Sequence, residues 1–133
     1  MLNYVALLAA DLQQLESRAA RLDIRRLVEE LFGLLRAHPR ERAAALPLAE
    51  SRMDERTRRA TFRHMLRKQI AAILRSRAAA LPAEAARDLA VVVLQLMKAA
   101  NALSDEEALP GRAAAQRELQ ALTVQYLKHH LPA

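Results

Sequence analysis

Leu2, Val5, Leu8, Leu12, Leu15, Ala19 and Leu22 recur at alternating steps of three and four residues, which places them on one face of a helix and predicts a first helix over residues 2–22. Asp23 follows, a residue whose side chain can satisfy the orphan N–H groups of a helix start. From there Ile24, Leu27, Val28, Leu31, Leu34 and Leu35 repeat the helical spacing until His38 and Pro39 close the segment. Two helices are thus separated by almost nothing. Residues 40–45 form a short helical candidate cut by Pro47, whose fixed φ and missing N–H end or kink it. A long helix over residues 54–77 comes next, with Phe62, Met65, Leu66, Gln69, Ile70, Ile73 and Leu74 on one side and Arg56, Arg59, Arg63, Arg67 and Lys68 on the others.

Residues 78–81 make a connector, and Pro82 suits the first position of the following helix, where a donor is not needed. The segment after it is the most apolar of the chain. The triplet Val91, Val92, Val93 could suggest a strand, but it sits in an Ala-rich stretch without a turn signal, which favours helix. Residues 101–110, carrying Ser104, Asp105, Glu106 and Glu107, read as an acidic loop, and Gly111 follows Pro110. In the last helix Ala115, Leu119, Leu122 and Tyr126 make one stripe, and Val124, Leu127 and Leu131 a second. The last two helices are therefore apolar on more than one side and need partners on both. The expected fold is all-α, a bundle of about six helices.

The chain of 133 residues is the size of one domain, and residues 1–133 are read as a single unit. Apolar residues make up 53% but aromatics only 3%, with 2 glycines, a composition rich in Ala and Leu that favours closely packed helices. No cysteine is present, so disulfides, thiol nucleophiles and thiolate metal sites are excluded. Residues 1–10 lack a basic region and a cleavage site, and no apolar run approaches the ~18 residues that span a bilayer, so a cytoplasmic protein without membrane contact is expected. The net charge of +6 comes mostly from arginines dispersed through helices, which is how a solvated face looks.

In order, these pieces resemble the regulatory domain of the TetR family of transcription regulators, over essentially the whole chain and without a signature motif. Residues 28–53, with Val-Glu-Glu-Leu-Phe-Gly-Leu-Leu-Arg-Ala-His-Pro at their start, resemble that family's helix ending before His-Pro, then a short helix and a loop. Residues 54–77 resemble its long central helix, residues 91–101 and 117–130 its final pair, and residues 2–22 the helix that leaves the DNA-binding domain. The resemblance implies a homodimer in which the last two helices pack on their symmetry mates as a four-helix bundle, through Val92, Leu96, Ala100, Leu119, Leu122, Thr123 and Tyr126. It also implies a sensor of a small apolar effector that enters among the second, central and fifth of six helices, lined by Phe32, Leu35, Phe62, Met65, Leu66, Gln69, Val93 and Met97. No helix-turn-helix precedes Leu2, so DNA would be controlled only through a domain outside this chain, which reads as a fragment. The alternative is a helical protein–protein interaction module with no sensing role.

No catalytic constellation or cofactor motif competes with this reading, and the chain is not expected to be an enzyme. His38 stands beside a proline, His64 lies on the basic helix, and the adjacent His129 and His130 diverge by about 100° on a helix and do not share a metal easily. No Glu is followed three residues later by His, the spacing of di-iron bundles. Gln69 is the sharpest polar residue, since an amide on an apolar stripe needs a partner, either a ligand or a neighbouring backbone group. Arg52, Arg56, Arg58, Arg59, Arg63, Arg67 and Lys68 spread around their helix with no aromatic interleaved for base stacking, and are read as a solvated face.

Overall fold

The computed structural model describes residues 4–37, 55–106 and 108–132, all helix, turn or short connection, with no strand among them. Helix α1 (Tyr4–Arg18) runs on through a 3₁₀ turn (Ala19–Arg21) to α2 (Ile24–Ala37); α3 (Glu55–Arg77), α4 (Ala83–Ala102) with a 3₁₀ turn (Leu103–Asp105), and α5 (Arg112–His130) complete the described elements. The short helix expected over residues 40–45 lies outside the described residues.

Local chemistry sets the boundaries. The Asp23 carboxylate accepts the Arg26 N–H at 2.8 Å, which satisfies one of the unpaired donors at the start of α2. Pro82 stands one residue earlier than the sequence suggests: its ψ of 150° is extended and its carbonyl accepts the Ala86 N–H, so it is the cap of α4 and not its first helical residue. The acidic stretch is shorter than expected as well, because α4 continues through Asn101 to Ala102 before the chain turns. Gly111, at φ 77°, makes the left-handed step into α5 that side chains with a Cβ resist.

The stripes face inward. Leu8, Leu12, Leu15 and Ala19 from α1, Leu27, Val28 and Leu31 from α2, Ile70, Ile73 and Leu74 from α3, Ala90, Val93 and Leu94 from α4 and Leu127 from α5 merge in one core. The neighbours close a ring in the order α1, α3, α4, α5, α2, with a further contact of α2 across to α4. The C-terminal end of α3 is tied down by its polar residues: Ser76 donates to the Glu16 carbonyl at 2.8 Å, Arg77 Nε to the Leu22 carbonyl at 2.7 Å, and Arg75 Nε to the Leu81 carbonyl at 3.2 Å. These side chains thereby reach carbonyls in the last turn of α1, just after its 3₁₀ turn and in the connection before α4.

Candidate functional site

The site is built where α2, α4 and α5 meet. A cavity of about 240 Å³ has a floor of Phe32 and Leu35 from α2 and Met97 and Ala100 from α4, all buried. Its rim is polar: Arg36, Asn101, Gln116, Arg117 and Gln120, with Ala113 at the mouth. Gln116 is already engaged, its Nε2 donating to the Ala100 carbonyl and to Ser104 Oγ, both at 2.9 Å, so it pins the end of α4 to the start of α5. A second hollow, about 270 Å³, lies between α1 and α2. There the Arg18 guanidinium is paired with Glu30 at 3.0 Å, an exposed pair of small energetic consequence.

Three residues expected at a ligand site, Phe32, Leu35 and Met97, come together in the cavity. The other five do not line it. Leu66 and Val93 are core residues, Phe62 and Met65 are partly buried against that core, and Gln69 is half-buried on α3. The cause is the order of the ring, in which α3 packs on α1 and α4 while the cavity opens on the side of α5. The polar rim escaped the sequence reading; its signal is the run Gln116, Arg117, Gln120 at the start of α5, where polar residues at one-turn spacing share a side of the helix.

The face expected to pair with a second copy divides in two. Val92 is 37% exposed and Leu122 47%, while Leu96, Leu119 and Tyr126 are partly buried at the edge of the core. Ala100 and Thr123 are instead covered within the subunit. Thr123 is wholly buried, its hydroxyl donating to the Leu119 carbonyl one turn back, and Ala100 lies in the cavity floor. Burial, with a smaller push from the Asp88 carboxylate, raises the Tyr126 phenol above its ordinary value. Its ring lies against that of His130, with centroids 4.5 Å apart and planes tilted by 49°. On α3, Arg56, Arg59 and Lys68 are exposed while Arg58, Arg63 and Arg67 are half-buried, as befits charges distributed around a helix. His64, His129 and His130 are exposed, and no group of three His, Cys, Asp or Glu residues among the described ones could hold a metal. No described helix is long and apolar enough to cross a membrane.

The family model described as "Tetracyclin repressor-like, C-terminal domain" matches residues 21–127, well over half of the chain and every element from the end of the first 3₁₀ turn to the last turn of α5. The chain belongs to this family. Tetracyclin repressor-like C-terminal domains are regulatory and non-enzymatic, typically concerned with ligand binding and dimerisation. No curated protein and no solved structure gives a significant match. Both the cavity and most of the exposed large hydrophobic side chains among the described residues involve α4, α5 or the turn between them.

Proposed function

We propose that this domain is the homodimeric ligand sensor of a transcription regulator, controlling DNA binding by a helix-turn-helix domain outside this chain. Among the described residues five large hydrophobic side chains are exposed: Leu7, Val91, Val92, Leu109 and Leu122. Four of these belong to α4, α5 or the turn between them, and that concentration on the last two helices is the observation that carries the reading. A second copy related by a two-fold axis covers the strip by packing α4 and α5 on their mates, with Val92, Leu96, Leu119, Leu122 and Tyr126 at the contact. Ala100 and Thr123 stay behind that surface and support it.

The effector sits in the cavity, its apolar part on Phe32, Leu35 and Met97. Because α4 and α5 supply part of the cavity's lining as well as the dimer contact, an occupant acts on that contact by favouring one arrangement of the pair over another. Placing two charges in the strip, Val92→Arg with Leu122→Arg, tests the dimer half of the proposal, since both positions are exposed and the subunit's own core is spared. The variant is expected to elute from size exclusion as a monomer with unchanged helical circular dichroism. An unaltered elution volume relative to the unsubstituted chain contradicts the proposal, and so does a stoichiometric heterologous partner on this strip in place of a second copy.

A further inference from the structure

We infer that the cavity between α2, α4 and α5 takes a small organic acid, with its carboxylate at Arg36 and Arg117 and its hydrocarbon part on the floor. The inference rests on the ligand-sensing reading above and names the chemistry of the ligand. Arg36 comes from α2 and Arg117 from α5, so arginines from two helices border one opening, and among the described residues no carboxylate lines it. Among the described residues neither guanidinium has an ion-pair partner, in contrast to Arg18, which Glu30 neutralises in the neighbouring hollow.

Guanidinium groups donate hydrogen bonds and accept none, so the charged part of the rim calls for an acceptor, and the planar fork matches a carboxylate. Below the rim the requirement reverses. Phe32, Leu35, Met97 and Ala100 offer no polar side-chain atom that could reward a second charge. At about 240 Å³ the space lies just under the range of roughly 300–1,000 Å³ typical of pockets for drug-sized molecules, which suits a short-chain or single-ring acid. A bare inorganic anion would leave the floor unfilled, and a neutral lipid would leave the arginines unused.

The test uses octanoate as the probe, with octanamide and inorganic phosphate as controls, titrated into the full chain at neutral pH and followed by calorimetry. Octanoate is expected to bind saturably and about tenfold more tightly than octanamide, the difference between a charge-assisted and a neutral hydrogen bond. Arg117→Gln is expected to remove most of that preference, and Ala113→Trp, at the mouth, to weaken both ligands. Both positions are exposed, so the fold is not at stake. Equal affinity for octanoate and octanamide, with both weakened by Ala113→Trp, overturns the acid and leaves the sensing site standing. Binding that ignores Ala113→Trp, binding of phosphate as tight as that of octanoate, or no saturable binding of octanoate at all overturns the inference; absence of binding by octanoate and octanamide alike also removes the support for a ligand in this cavity.

Discussion

The two glycines show how one residue type answers different demands at different places. Gly111 holds a φ of 77°, and an added Cβ there would meet nothing within 4 Å, so only backbone strain opposes it. Gly33 lies inside α2, where a Cβ would come no closer than 3.9 Å to Arg36 Nη2, an ordinary contact. Gly111→Ala is therefore expected to destabilise the domain by about 1 kcal/mol. Gly33→Ala is expected to stabilise it by about 0.5–1 kcal/mol, through helix propensity and a less disordered unfolded chain. Chemical denaturation of the two variants side by side checks both signs. At this scale the helix start at Asp23 was legible in the sequence because a cap depends on neighbours three residues away. The tie between Gln116 and the end of α4 was not, since its partners are Ala100 and Ser104, and nothing local to Gln116 announces them.

Among the elements, α3 separates structural charge from solvated charge along a single helix. Its first half carries exposed arginines such as Arg56, while Arg77 at its end donates to the Leu22 carbonyl between α1 and α2. Arg77→Ala leaves that part-buried carbonyl without its donor and is expected to cost about 1–2 kcal/mol. Arg56→Ala is expected to stay within about 0.5 kcal/mol. Urea midpoints at constant slope distinguish the two. Helical periodicity made the existence of all five described helices readable, because each stripe is repeated over several turns. The valine triplet shows what the period adds beyond propensity: Val93 is buried while Val91 and Val92 are exposed, as successive side chains stepping by about 100° around a helix must be. Position in the chain did not reveal that α4 runs on to Ala102, since Asn101 and the acidic residues after it look like loop, while the bonds that hold this end, from Gln116 to the Ala100 carbonyl and Ser104 Oγ, come from another helix.

For the whole molecule, periodicity says which face of a helix is oily but not which helix lies against it. The ring order α1, α3, α4, α5, α2 is a property of the assembled chain, and it explains why Phe32, Leu35 and Met97 share a cavity that Phe62, Met65 and Gln69 do not line. The excess of apolar surface on the last two helices was legible, because stripes on two sides of a helix exceed what one neighbour can cover. A sensor that works through paired α4 and α5 helices requires that strip to be covered in solution, and a second copy is what the account places there. Sedimentation equilibrium of the unsubstituted chain at micromolar concentration measures this directly. The expected result is a species of twice the chain mass that dissociates only on dilution, whereas a single-chain mass throughout the micromolar range would contradict it.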